Sequence, residues 1–90
     1  MLVDIYANWC PTCARQQEIL NEWSGNNPDA DLHILQINYN TQRDAVIALR
    51  ATRQSTLMLY HGDERIWYSI AETRSERIHA ELNAGLEKAR

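Results

Sequence analysis

Basic residues are scarce in this chain of 90 residues, and lysine is the scarcest: Lys88 is the only one. Nine basic against twelve acidic residues leave a formal net charge of −3, and no basic face is clustered. That balance argues against nucleic acid as a partner. Long apolar runs are missing as well, and none approaches the ~20 residues of a membrane-spanning helix. Met1 leads straight into an apolar stretch, without the basic opening of an export signal. The expected compartment is therefore the cytoplasm; a trimmed export signal would place the chain in the periplasm or another extracytoplasmic space instead. Cysteine is limited to Cys10 and Cys13. Two cysteines allow one internal disulfide at most, and its loop is too short to staple a fold, so the pair points to chemistry rather than scaffold. No repeat, linker or low-complexity segment interrupts the chain. The length fits one domain over residues 1–90, burying only ~60–65% of its unfolded surface. An apolar fraction of 44% is ordinary for a folded protein.

What is present centres on Trp9-Cys10-Pro11-Thr12-Cys13. The run from Met1 to Ala7 is apolar except for Asp4 and predicts a strand buried on both faces. A helical pattern follows from Pro11 to about Trp23, with Cys13, Ile19, Leu20 and Trp23 near helical spacing. A Cys-x-x-Cys pair placed where strand gives way to helix has a clear physical use. The unpaired N–H groups and partial positive charge of the helix N-terminus stabilise a thiolate. Pro11 suits the first helical position, where its missing N–H has no partner to lose. The pattern predicts a redox dithiol with Cys10 as the attacking thiolate. Other uses remain open for the same residues: half of a zinc site, a metal or iron–sulfur cluster shared between two chains, or two inert buried cysteines. The remaining zinc candidates, His33, His61 and His79, form no close pair and are read as surface residues.

Ser24-Gly25-Asn26-Asn27-Pro28 is expected to stop the first helix. Leu32 to Tyr39 reads as a second strand and Gln42 to Ala51 as a short helix. Thr56 to His61 and Arg65 to Ile70 read as two strands of a hairpin about Gly62-Asp63. Thr73-Arg74-Ser75-Glu76 has the form of a capping box opening a last helix, with Ile78, Leu82 and Leu86 on one stripe. The order β-α-β-α-β-β-α predicts an α/β fold, a mixed four-stranded sheet flanked by three helices.

With that order in place, the chain resembles the thioredoxin family. The likeness rests most heavily on Leu2-Val3-Asp4-Ile5-Tyr6-Ala7-Asn8-Trp9-Cys10-Pro11-Thr12-Cys13, and continues through Ile37-Asn38, Thr56 to Tyr60 and Gly62 to Ile66. It implies a thioredoxin-like fold in its minimal form, without the first strand and helix of full-length thioredoxins. It also implies dithiol exchange: Cys10 attacks a substrate disulfide and Cys13 resolves the mixed disulfide. Asp4 falls where the family has a buried carboxylate that accepts the Cys13 proton through water. Trp9, Pro11, Thr12, Gln54 and Ser55 are expected to meet substrate. No bound cofactor or metal is expected. The partners implied are a disulfide-bearing protein or small molecule and a separate electron donor or acceptor; the chain itself is expected to be a monomer.

Departures from the family pattern set further expectations. Ser55 stands at the cis-proline position, where a cis bond before a non-proline residue costs ~3–4 kcal/mol, so a trans Gln54–Ser55 bond is expected. The Ser55 hydroxyl could then face Cys10 and donate to its thiolate. Gln36 stands where a lysine is common near the buried carboxylate, Glu18 replaces the usual helix proline, and Ala71 replaces a glycine. No histidine or lysine lies between or beside the cysteines, which points to a mildly lowered pKa and a reductant rather than a strong oxidant. A non-catalytic interaction domain is the other reading of the same chain.

Overall fold

The stretch Leu2–Tyr6 forms the strand β1 and is buried on both faces through Ile5, because it lies in the middle of the sheet. The computed structural model describes residues 1–30 and 32–89; Asp31 and Arg90, the latter included in the expected 1–90 domain, lie outside the described residues. The other elements are α1 (Pro11–Asn26), β2 (Ile34–Asn38), α2 (Arg43–Ala48), β3 (Thr56–His61), β4 (Glu64–Ile70) and α3 (Ser75–Ala89). This is the expected order. The strands lie side by side as β2-β1-β3-β4. β1 runs parallel to β2 and antiparallel to β3, and β3 pairs antiparallel with β4. The alternation of chain direction follows from the connections: a helix carries β1 to a parallel neighbour, whereas the Gly62 turn, at φ 62°, folds β4 back on β3.

Successive β1 side chains point to opposite faces and meet different helices. Leu2 packs with Ile19, Leu20 and Trp23 of α1, Leu57 and Leu59 of β3, and Ile78 and Leu82 of α3. Val3 and Ile5 pack on the other face with Ile37, Met58 and Val46 of α2. Each fully buried leucine or isoleucine contributes ~1.5–3 kcal/mol of hydrophobic stabilisation. Gly85 lets α3 lie close on β3, since a Cβ there would stand 2.6 Å from Leu59 Cδ2.

Element ends differ from the sequence reading for local reasons. α1 runs on through Gly25 to Asn26, and Asn27 closes it. The Asn27 side chain donates to the Trp23 carbonyl and its backbone N–H to Ser24 O. These bonds satisfy two carbonyls the helix would otherwise leave open. β2 is two residues shorter at its start and one at its end, and α2 stops at Ala48. The Thr73 capping box is out of register, because α3 begins at Ser75, one residue later than that box requires. The Glu72 carboxylate occupies the corner instead. It accepts from the N–H groups of Thr73 and Arg74 and from the Arg74 guanidinium at 2.8 Å. The Arg74 hydrogen bond is the main cause of a Glu72 pKa lowered to about 2. His79 is half-buried rather than a surface residue, with Nε2 3.2 Å from the Ile19 carbonyl.

Candidate functional site: a dithiol at a helix N-terminus

The site begins where β1 leaves the sheet. The turn passes through Trp9, whose φ is 61°, into Cys10, which is extended and forms the N-cap of α1. Pro11 takes the first helical position, and the Cys10 carbonyl accepts the Ala14 N–H at 3.0 Å. The Cys10 Sγ does what a serine or aspartate oxygen does at other helix starts: it accepts the Cys13 N–H, at 3.1 Å. No acidic side chain sits in the first turn to neutralise the positive end of the helix. Cys10 and Cys13 are joined as a disulfide, with Cα atoms 5.2 Å apart. Their exposures differ in a way that matters for exchange. Cys10 is half-buried and open to an incoming sulfur, while Cys13 is only 7% exposed.

Ser55 meets the pair from the opposite side. The Gln54–Ser55 bond is trans, since the described residues include no cis bond. Ser55 is 5% exposed and takes the left-handed conformation, φ 62°. Its Oγ lies 3.1 Å from Cys10 Sγ and 3.0 Å from Cys13 Sγ. Disulfide sulfurs carry no hydrogen, so the hydroxyl is the donor in this state. The sequence reading had it facing Cys10 alone; it faces both sulfurs. The Ser55 carbonyl accepts from Ala71 N–H at 2.8 Å and from Gln16 Nε2 at 3.0 Å.

Asp4 lies on the α1-facing side of β1, two positions from Leu2, and is 2% exposed. Burial raises its pKa to about 6, an effect that the Gln36 amide partly offsets. Gln36 is opposite Asp4 in the β1–β2 register and donates to Gln17 Oε1 of α1. The side chain that meets the carboxyl is thus an uncharged amide, Gln36.

Two grooves flank the disulfide and share Trp9, Cys10 and Pro11 as their common wall. One, of about 690 Å³, runs past Cys13, Tyr6 and Ala14 to Gln17 and Gln36. The other, of about 500 Å³, brings together Trp9, Cys10, Pro11, Thr12, Gln54 and Ser55. All five residues expected to meet substrate therefore line one groove with Cys10. Asp4 lines neither. Trp9 is fully exposed and walls both grooves. Sequence reading missed Tyr39 and Arg53 on the second groove, which no spacing pattern connects to the cysteines. It also missed Gln16, which is fully buried. A signal for Gln16 was available: it stands three residues after Cys13 and three before Ile19, on the inward stripe of α1. Among the described residues, no group of three or more His, Cys, Asp or Glu side chains converges as a metal centre within one chain would require.

The family model for thioredoxin matches residues 1–87. No curated protein matches the sequence. Among solved structures, the Trxlp protein of Edwardsiella tarda is 37% identical over 90% of this chain and 79% of its own, with a TM-score of 0.84. Mitochondrial thioredoxin 3 of Saccharomyces cerevisiae, in its oxidised form, is 22% identical over 97% of this chain and 76% of its own, with a TM-score of 0.70. Thioredoxin f2 of Chlamydomonas reinhardtii is 19% identical over 99% and 79%, with a TM-score of 0.77. The last two likenesses concern the fold alone.

Proposed function

Because the chain belongs to the thioredoxin family, we propose that it reduces disulfides of proteins or small molecules by dithiol exchange through Cys10 and Cys13. The observation that carries this reading is the Cys10 sulfur at the helix N-terminus, half-open to solvent, hydrogen-bonded by the Cys13 N–H and joined to a buried second sulfur. In the reduced protein the same N–H and the Ser55 hydroxyl are available to a Cys10 thiolate. Hydrogen bonds to an ionised acceptor are worth ~1.5–3 kcal/mol each, and bonds to the neutral thiol less, so both lower the Cys10 pKa.

The reaction then proceeds in two displacements. The Cys10 thiolate attacks one sulfur of the substrate disulfide. The substrate S–S bond breaks, a Cys10–substrate mixed disulfide forms, and the leaving thiolate takes a proton from solvent. Cys13 loses its proton through water to the Asp4 carboxylate and attacks Cys10 Sγ. The Cys10–Cys13 bond forms as the mixed disulfide breaks, and the second substrate thiolate leaves. Two electrons have passed from the protein to the substrate, and a separate donor must return them. An Asp4 pKa raised to about 6 suits a proton acceptor working near neutral pH. Trp9, Pro11, Thr12 and Gln54 form the groove wall beside Cys10, and Gln54 offers its exposed backbone to an extended substrate segment, as in strand addition. The protein acts as a monomer and, on the reductant reading, in the cytoplasm. Among the described residues no helix is long and apolar enough to cross a membrane.

The test is reduction of insulin disulfides with dithiothreitol as donor, comparing wild type with Cys10→Ser. Wild type is expected to accelerate the reaction and the variant to fall to the uncatalysed rate. Equal rates would leave an interaction domain with an incidental dithiol. Visible absorbance with stoichiometric metal, in protein purified without added metal, would favour a module sharing metal between two chains.

A further inference from the structure

Among the described residues, four other than glycine have left-handed backbones: Trp9, Arg50, Ser55 and Ala71. Three of them, Trp9, Ser55 and Ala71, line the groove beside Cys10. Each such conformation is strained, and it persists only where surrounding structure holds it. For two of these turns the holding group is the same. Gln16 of α1, 0% exposed, spends both N–H bonds of its carboxamide outside its own helix. Nε2 donates to the Ser55 carbonyl and to the Glu72 carbonyl, each at 3.0 Å. Ala71 N–H closes the remaining gap on the Ser55 carbonyl at 2.8 Å. The turn before β3 and the turn after β4 are thus tied to each other and to the helix that carries both cysteines.

We propose that Gln16 is a positioning residue that sets the redox poise of the dithiol by holding the Ser55 hydroxyl on the two sulfurs. The inference rests on the reading above, in which that hydroxyl donates to the Cys10 thiolate. The Ser55 carbonyl and hydroxyl belong to one residue, so anchoring the carbonyl from α1 holds the backbone from which the hydroxyl projects towards the sulfurs. Its Oγ stands within 0.1 Å of equidistant from the sulfurs, at 3.1 Å and 3.0 Å, and can therefore serve whichever sulfur carries charge. A thiolate is a far better acceptor than a disulfide sulfur, so the hydroxyl stabilises the reduced form preferentially. The cost falls on Gln16 itself. Its Oε1 is buried and has no hydrogen-bond partner among the described residues, a condition that works against the fold.

The experiment measures the equilibrium constant with glutathione and the thiolate pKa of Cys10 for wild type, Gln16→Leu, Ser55→Ala and the double variant. Gln16→Met serves as an unbranched replacement should Leu overpack. Loss of the donor destabilises the reduced state, so Gln16→Leu and Ser55→Ala should each shift the equilibrium towards disulfide by ~5-fold, about 20 mV lower in potential, and raise the Cys10 pKa. The double variant should shift no further than Ser55→Ala. Two results overturn the proposal while leaving the dithiol reading intact: no shift in Gln16→Leu or Gln16→Met beside a clear shift in Ser55→Ala, or shifts that add in the double variant. Wild-type protein with no measurable dithiol equilibrium would instead remove the reading on which it rests.

Discussion

Leu2 and Asp4 stand two residues apart on the same face of β1, under the same helix, yet they meet different interiors. Around Leu2 the layer is hydrocarbon: Ile19, Leu20 and Trp23 from α1, Leu57 and Leu59 from β3, Ile78 and Leu82 from α3. Towards the dithiol the same layer holds a buried carboxyl at Asp4, a buried carboxamide at Gln16 and a buried hydroxyl at Ser55. One helix, α1, spans both halves. The first half supplies stability through removal of apolar area from water. The second works against it, because Asp4 is buried with a raised pKa and Gln16 carries an acceptor with no partner among the described residues. A small domain has little stability to give up. The polar half is therefore best understood as what the apolar half makes tolerable.

That contrast can be broken experimentally, and the largest effect should come from the apolar side. Leu20→Ala removes a side chain that is 1% exposed and should cost ~2–5 kcal/mol in urea unfolding. The glutathione equilibrium of the folded variant should stay within about twofold of wild type. A redox shift matching the loss of stability would mean the two halves are not separable. Asp4 should show the opposite behaviour. Its folded pKa, about 6, lies above the ordinary value of 3.8, so the folded state binds the proton more tightly. The stability linked to this proton is fully present below pH ~4 and is lost as pH rises through ~6, a change on the order of 2–3 kcal/mol. In Asp4→Asn that slope should vanish, while resolution of the mixed disulfide slows near neutral pH. A variant with the same pH profile as wild type would show that another group is responsible. The smallest effect on stability is expected at Trp9, fully exposed and left-handed. Trp9→Gly should leave unfolding within ~1 kcal/mol of wild type, on the stabilised side, because glycine adopts that backbone freely. KM for a protein disulfide should rise with kcat nearly unchanged; a loss confined to kcat would make Trp9 part of the chemistry instead of the contact.

The same division explains what the sequence could disclose. The apolar half follows from periodicity, since Leu2, Ile19, Leu20, Trp23, Ile78 and Leu82 repeat at strand or helix spacing and all are buried as that spacing requires. The Cys-x-x-Cys pair was readable because a strand ends and a helix begins around it. Polar residues lack such a signature. Gln16 in a run of Arg15, Gln17 and Glu18 looks like part of a solvated face, and only its place on the inward stripe betrays it. The place of Ser55 beside both sulfurs depends on a left-handed turn that nothing in Arg53-Gln54-Ser55-Thr56 announces. Ala71 is a partial exception: it stands at a position where the family has glycine, and the structure finds it at φ 61°. Helix ends were displaced for a similar reason. Gly25 suggested a stop after Trp23, but the helix ends three residues later at Asn26, where the Asn27 side chain reaches back to Trp23 O. Glu72 took the corner that Thr73 was expected to cap, because a carboxylate already paired with Arg74 was one residue away.

The sulfur that closes the start of α1 has a consequence for how the molecule reports its own oxidation. A disulfide sulfur is a poor acceptor and a thiolate a good one, so the bond from the Cys13 amide strengthens when the pair is reduced. The Cys13 amide proton should then exchange with deuterium more slowly in reduced protein. Electron content is thereby written into the local order of one helix end, where a partner that distinguishes loaded from spent protein could sense it without touching either sulfur.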